Sequence, residues 1–257
     1  MNTLDRYNNL IFAYQYEYSE GNNSNHGDIE YYIEKLSSLG TRVLELACGT
    51  GRITIPLKKA GIDVVGLDHA EAMIKIAKDK ALKEDITLQW KVGDATTFND
   101  SIKYGAIFIP YNAISFIEND KLELFAINIK KNLTTRGRFL FDLSRSTYEM
   151  YDQNKKRYVD WSKEIFIEEL KIHLRRKMEM TLFSEKKIVE SIYYWEIRDS
   201  TGKLSNKATK MHFSTLDTEK YIEVLEKQGF RLVDIKDCKF EKHGLKRIHS
   251  FVEMAIT

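Results

Sequence analysis

Apolar positions along the chain change period several times, and each change marks a new element. From Asp28 to Leu39, Ile29, Ile33 and Leu36 recur at helical spacing and Gly40 ends the run, predicting a helix that leads into a strand. Val43, Leu44, Leu46 and Ala47 then form the continuous apolar run of a strand covered on both faces. The run breaks at Gly49-Thr50-Gly51 and resumes helically with Ile53, Leu57 and Ala60, so a strand feeds a helix through a glycine turn. Such a turn brings bare backbone and a helix N-terminus against a ligand. Gly61 ends that helix and a second strand, Ile62 to Leu67, stops at Asp68. A helix from Ala70 to about Leu82 turns Met73, Ile76 and Ala77 inward, and a third strand, Ile86 to Val92, closes on Gly93-Asp94-Ala95. The fourth strand, Ala106 to Ile109, runs into Pro110-Tyr111-Asn112-Ala113-Ile114-Ser115-Phe116. A helix from Asp120 to Leu133 and a strand from Arg138 to Leu143 complete five strand and helix steps. This alternation predicts a doubly wound, Rossmann-like α/β sheet.

Between Ser144 and Ser214 glycine nearly vanishes and the apolar period becomes two. Ile172, Leu174, Met178, Met180 and Leu182 are expected to face one way, and Lys171, His173, Arg175, Lys177 and Glu179 the other. Ile188 to Arg198 repeats the pattern, Asp199-Ser200-Thr201-Gly202 is a hairpin turn, and Lys207 to Phe213 is the returning strand. The insertion therefore reads as a small antiparallel sheet. A helix from Asp217 to Gln228 follows, and strands Arg231 to Phe240 and Ile248 to Ile256 close the chain as an antiparallel hairpin joined by Glu241 to Arg247. The expected organisation is a lid segment and helix over 1–40, a core over 41–143 and 215–257 with seven strands, and the inserted sheet over 144–214.

Composition narrows the function classes only a little. The 257 residues can bury a sizeable core, and a net charge of +2 neither requires nor excludes a polyanionic partner. Cys48 and Cys238 offer no disulfide framework, and no metal-ligand spacing occurs. No signal-like apolar stretch follows Met1, and no apolar run nears the ~18 residues of a span, so a cytoplasmic protein with no membrane partner is expected.

The ligand of the glycine turn can be narrowed by spacing. A dinucleotide fingerprint wants a glycine at the sixth position of the turn, where Thr54 stands, and no Gly-Lys-Ser/Thr phosphate loop follows. Glu45, followed by Ala47, Gly49 and Gly51 at alternate positions, resembles motif I of the class I S-adenosylmethionine (SAM) dependent methyltransferases. The family usually has glycine where Ala47 stands, which should slightly crowd the turn. Asp68 lies 23 residues beyond Glu45, where a carboxylate can accept from a ribose diol. The family often places a cap serine two residues after this acid; here Ala70 occupies that position, so Asp68 or His69 must cap the next helix. Asp94 resembles the family aspartate that takes the adenine amino group, with the Ala95 amide meeting a ring nitrogen. The inserted sheet resembles that of a small-molecule methyltransferase subgroup in which it roofs the acceptor pocket.

The resemblance implies SAM as cofactor, bound by Glu45, Ala47, Cys48, Gly49, Gly51, Asp68, His69, Met73, Asp94, Ala95, Pro110 and Tyr111. The loop after the fourth strand faces the reactive methyl in the family, which makes Tyr111 and Asn112 catalytic candidates and Asn112 and Ser115 acceptor-binding ones. Tyr16 and Tyr18, in the aromatic N-terminal stretch, are lid candidates for the acceptor. His212 precedes the helix at Asp217, and a neutral imidazole there could take the proton that an amine or hydroxyl loses. The implied activity is methyl transfer to a nitrogen or oxygen of a small molecule. Lys155, Lys156, Arg157, Arg175, Arg176 and Lys177 raise RNA as a rival acceptor, against which the near-neutral total and the lack of an RNA-binding module weigh. A SAM-binding sensor without turnover is the other rival, because ligand motifs report binding alone. The edge of the inserted sheet could pair two chains, so monomer and homodimer both stand open.

Overall fold

A computed structural model describes residue 9 and residues 27–146, 156–242 and 245–257. Helix α1 (Asp28–Ser37) leads into β1 (Val43–Leu46), whose four residues are all buried, the apolar Val43, Leu44 and Leu46 together with Glu45. Alternation then continues through α2 (Thr54–Lys59), β2 (Val64–Asp68), α3 (Glu71–Lys83), β3 (Gln89–Val92), β4 (Tyr104–Ile109), α4 (Leu122–Asn132) and β5 (Leu133–Ser146). The insertion carries β6 (Lys156–Val159), β7 (Ile165–Ile167), β8 (Ile172–Phe183), β9 (Ile188–Arg198) and β10 (Leu204–Ser214). Helix α5 (Thr218–Lys227) and the strands β11 (Phe230–Lys242) and β12 (Leu245–Ile256) follow.

The expected α/β architecture is present. One sheet of seven strands runs in the order β11-β12-β5-β4-β1-β2-β3, parallel from β5 to β3, with β12 antiparallel to both β5 and β11. Alternate side chains of the central strands enter two cores. Leu44, Leu46, Ile107, Ile109, Phe139 and Phe141 pack against Phe125 and Ile129 of α4 and Tyr221 and Leu225 of α5. Val43, Ala106, Phe108 and Leu140 pack on the other face against Tyr31, Tyr32 and Leu36 of α1 and Leu57 of α2. Glu45 shares that second face by its register in β1. At the rim, β3 is shorter than expected and half exposed, because an edge strand has one neighbour and little cover. The closing strands are longer than expected: β11 and β12 pair as far as Lys242 and Leu245, through the segment read as a loop.

The second sheet runs β10-β9-β8-β6, antiparallel, with β7 on the same edge of β8 as β6. Neither β6 nor β7 was expected from the pattern. On β8 Glu179 is 8% exposed while Met178 and Met180 are half-buried. Tyr158 of β6 pairs in register with Glu179, and the Tyr194 hydroxyl lies 3.4 Å from its carboxylate, so this acid is covered on a face expected to be solvated. Ile167, Ile172, Leu174, Trp195 and Ile197 make a separate small core, in which the Trp195 indole N–H donates to Thr209 Oγ1 at 3.1 Å. The insertion meets the main sheet where the Phe213 and Phe116 rings lie 4.7 Å apart and Asn119 Nδ2 donates to the Lys186 carbonyl at 3.2 Å. Among the described residues no helix is long and apolar enough to cross a membrane.

Candidate functional site

The C-terminal ends of β1, β2, β3 and β4 lie side by side, and the residues singled out in the sequence converge on them. After β1 the backbone turns left-handed at Ala47 (φ 53°), Gly49 (φ 54°) and Gly51 (φ 80°). Ala47 is therefore more than a crowded substitution. It is a side chain held in the conformation that glycine tolerates without strain. At Gly51 a Cβ would stand 2.8 Å from the Trp90 ring, and at Gly66 on β2 it would stand 2.7 Å from the same ring. Trp90, from β3, thus lies across two glycines that leave room for it. The turn is tied to β2 by the Cys48 N–H on the Leu67 carbonyl at 3.1 Å, and the Cys48 side chain is buried.

Asp68 joins this turn to the following helix. Its Oδ2 accepts the Gly49 N–H at 2.8 Å and its Oδ1 accepts the Ala70 N–H at 2.9 Å, while Ala70 itself is the N-cap of α3 and the helix has no side-chain cap bond, so the expected cap from Asp68 or His69 is not formed. Burial pushes the Asp68 carboxyl above its ordinary value, opposed by the Ala70 N–H bond, the nearby His69 and the Gly49 N–H bond. His69 is half-buried with Nδ1 3.6 Å from Asp68 Oδ1, and Met73 is buried behind it on α3. Asp94 is exposed beyond β3, with Oδ1 accepting from both the amide and the hydroxyl of Thr96 at 2.7 Å, and the Ala95 carbonyl accepts from Asn128 Nδ2 at 3.3 Å. Two carboxylates and a row of backbone amides at three adjacent strand ends form a donor and acceptor set suited to a ribose and an amino-purine.

Beneath the turn lies a buried ionic group. Glu45 is 2% exposed and accepts from the Thr54 hydroxyl. Burial pushes its carboxyl up to about 8, against the pull of the Thr54 hydrogen bond and the Arg52 charge. Both terminal nitrogens of Arg52 donate to the two oxygens of Asp28, which is 1% exposed, and the guanidinium lies 4.8 Å from the centre of the Tyr111 ring. Neither Arg52 nor Asp28 was singled out in the sequence, although an arginine directly after Gly-Thr-Gly was visible there.

The corner after β4 places Tyr111 and Asn112 together, both left-handed, at φ 59° and 58°. Asn112 Nδ2 donates to Ser115 Oγ at 3.1 Å, the Ser115 hydroxyl donates to the Asn112 carbonyl at 2.7 Å, and Asn112 Oδ1 accepts the Ser144 N–H at 3.1 Å. Both candidates therefore brace the corner with their polar atoms. Pro110 is buried at the end of β4. Beneath the corner is Asp142, a fully buried carboxylate on β5 that sequence reading passed over. His212 stands elsewhere. It is half exposed, with Nε2 3.0 Å from Glu190 Oε2, and it leaves β10 on the face opposite Phe213. Tyr16 and Tyr18 lie outside the described residues.

A family model described as a methyltransferase domain matches residues 43–137. The protein YqeM of Bacillus subtilis (strain 168) is 32% identical over 109 residues, which are 41% of this chain and 43% of that protein, so the match spans under half of the relative. A carboxy-S-adenosyl-L-methionine synthase of a Nitratiruptor species is 27% identical over 60% of this chain and 72% of its own. Among solved structures, a S-adenosylmethionine-dependent methyltransferase from Clostridium acetobutylicum ATCC 824 superposes with a TM-score of 0.72 over 94% of this chain and 97% of that one, at 19% identity. The CcbJ methyltransferase from Streptomyces caelestis superposes at 0.75 over 98% of both chains, at 15% identity. The sugar N-methyltransferase KedS8 from Streptoalloteichus sp ATCC 53650 reaches 0.69 over 92% and 91%, at 14% identity. These superpositions extend over the inserted sheet as well as the parallel core. Residues 43–137 thus match a methyltransferase domain, and the chain as a whole has the fold of these solved S-adenosylmethionine-dependent methyltransferases.

Proposed function

We propose that the protein transfers a methyl group from SAM to a nitrogen or oxygen of a small molecule held between the β4 corner and the inserted sheet. The observation that carries this reading is the alignment of the Gly49 to Gly51 turn, Asp68 and Asp94 at three neighbouring strand ends, with the β10 end of the inserted sheet leaning on the adjoining corner through Phe213 and Phe116. In this reading Asp68 accepts from the ribose, Asp94 and the Ala95 amide meet the adenine, and the turn amides from Ala47 to Gly51 meet the amino-acid end. When bound, the sulfonium supplies an electrophilic methyl, and an acceptor lone pair need only be held in line behind it. Holding and drying the acceptor is the work of Tyr111, Asn112 and Ser115 at the corner and of the inserted sheet above them. Such positioning accounts for much of the rate in favourable models, with effective molarities of ~10⁵ M or more. No step is assigned to His212, which faces away from the corner. KedS8, a sugar N-methyltransferase, shares the whole architecture, which supports a small polar acceptor here.

Calorimetric titration with SAM and with its demethylated product, followed by incubation with separate pools of cell metabolites and RNA, tests the proposal. Micromolar binding with turnover in the metabolite pool is the expected result. Turnover on RNA alone, with binding that falls steeply as salt rises, would replace the small-molecule reading. Binding without turnover on either pool would replace catalysis with sensing.

A further inference from the structure

Asp142 is 0% exposed, yet it is an acid in the middle of a central strand. It stands one residue beyond Phe141, the last β5 residue in register with β4, and opposite Phe251 of β12. Each of its oxygens has two nitrogen or hydroxyl neighbours. The Asn112 N–H lies 2.7 Å and the His249 Nε2 3.1 Å from Oδ1, while the Tyr111 N–H lies 2.8 Å and the Tyr32 hydroxyl 2.9 Å from Oδ2. An ionised carboxylate has about four lone-pair sites, and here three hydrogen bonds and the His249 ring surround them, from three separate stretches of chain: α1, the β4 corner and β12. A buried charge survives only when met in this way. The surroundings are themselves fixed. Tyr32 is fully buried between the Phe108 and Phe251 rings, and the His249 ring packs edge-on to Phe251 at 4.7 Å.

What this carboxylate holds is unusual backbone. Tyr111 and Asn112 are consecutive non-glycine residues in the left-handed region, a conformation that persists only where its surroundings over-determine it. Two successive amides that both point at one carboxylate supply that determination. The outcome of the corner is the seat of the Tyr111 ring on Arg52, beside the glycine turn, and the bracing of Asn112 on Ser144 and Ser115.

We infer that Asp142 is a positioning residue for methyl transfer: it clamps the Tyr111–Asn112 corner against the glycine turn and so sets the line along which the acceptor approaches. This inference rests on the methyltransferase reading of the same site. Asp142 touches no reacting atom in it and acts through the two amides alone.

The substitution Asp142→Asn preserves volume but puts an NH₂ where one of the two oxygens stood. Whichever way the amide turns, one corner N–H loses its acceptor. Two quantities are to be read on the full-length protein: the hydrogen exchange of the Tyr111 and Asn112 amides by NMR, and steady-state kinetics on whichever acceptor the wild type turns over best. The expected result is exchange at residues 111 and 112 at least tenfold faster, kcat down about a hundredfold, and both the SAM affinity and the acceptor KM within threefold of wild type. A purely structural role would instead lower SAM affinity and raise KM together with the loss of kcat, and that pattern overturns the inference. Unchanged exchange at both amides also overturns it, whether or not the wild type is active. A wild type that turns over nothing refutes the methyl-transfer reading by itself, while exchange still decides whether Asp142 holds the corner. If Asp142→Asn does not fold, Tyr32→Phe strips one donor from the same carboxylate and leaves both corner bonds. A severalfold fall in kcat at constant KM, with faster exchange at Tyr111, then supports the inference, and no change in either overturns it.

Discussion

Replacing Glu45 by glutamine should make the protein more stable in alkaline solution and leave it nearly unchanged in acid. The side chain lies inside β1, 2% exposed, and burial raises its carboxyl from 4.5 to about 8. Between these two values the folded protein keeps a proton on Glu45 that the unfolded chain has already released. The stability from this group is therefore complete below about pH 4.5, declines as the pH rises, and is gone once the pH has passed about 8. At about 1.4 kcal/mol per unit, the shift corresponds to a ceiling of about 5 kcal/mol. That is a large share of the roughly 5–15 kcal/mol by which folded domains exceed their unfolded chains. Glutamine is nearly isosteric, carries no charge at any pH, and its carbonyl can still accept from the Thr54 hydroxyl. Urea unfolding of both proteins near pH 5 and pH 9 reads the effect. The two curves should lie within about 1 kcal/mol of each other in acid, where both side chains are neutral, as for other volume-conserving exchanges. In alkaline solution the variant should exceed the wild type by roughly 3–5 kcal/mol. A difference that stays constant between the two conditions would mean that Arg52 already holds Glu45 ionised in the folded protein near pH 5, and it would refute the reasoning.

Three further outcomes are expected. Asp68→Ala should weaken SAM binding by about 1.5–3 kcal/mol through loss of charge-assisted bonds to the ribose, and an unaltered calorimetric affinity would remove that assignment. Arg52→Met should leave the 1% exposed Asp28 without its bidentate partner and lower stability by roughly 3–5 kcal/mol, measured as the shift in the urea midpoint. Ala47→Gly should raise stability by about 1 kcal/mol, since the residue already stands at φ 53°, and a lowered thermal midpoint would speak against stored strain there.

Much of the parallel core was legible because its signals are local. Val43, Leu44 and Leu46, interrupted only by Glu45, read as a strand covered on both faces, and Gly49 and Gly51 end it in a turn with positive φ values. Asp68 and Asp94 were singled out through the motifs they resemble, and the structure sets both at the ends of neighbouring strands. The insertion was legible only where hydrophobic alternation was strong. It was followed correctly in β9, but β6 and β7 are short and pair on one edge of β8, and nothing within four residues of Lys156 announces a partner at Thr181. Glu179 was read as solvated because period two assigned it to the charged face, whereas in the structure it is 8% exposed beside the Tyr194 hydroxyl of β9, a tertiary contact absent from the pattern. Asp142 was missed despite a local clue. A single acid within Phe139-Leu140-Phe141-Asp142-Leu143 has to find partners when it is buried, whereas Glu45, in the same kind of setting in β1, was singled out only through the motif it resembles.

The strained backbone marks where these strands work together. Among the described residues, six other than glycine have positive φ: Ala47, Asp85, Tyr111, Asn112, Lys171 and Lys187. Asp85, Lys171 and Lys187 are exposed residues in turns between elements, each with its N–H on a carbonyl three residues back. Ala47, Tyr111 and Asn112 are different. They end β1 and β4, which are neighbours in the sheet, and the chain order reverses between those two strands: β2 and β3 follow on one side of β1, and β5 lies beyond β4 on the other. An open parallel sheet leaves its crevice at this switch, because the connections leave the two strands toward opposite faces. The two strained corners therefore wall one crevice, but they are held by different means. The turn after Ala47 is made by its glycines and tied to β2 by backbone bonds, so glycine at 47 should relieve strain and leave the SAM affinity unaltered. The Tyr111–Asn112 corner has no glycine, and its conformation depends on a carboxylate one strand away. Relaxing the first corner should stabilise the protein at no loss of transfer, whereas relaxing the second should slow transfer sharply in a protein that still binds SAM. If both changes acted alike on kcat, the crevice would not be divided between a cofactor wall and an acceptor wall.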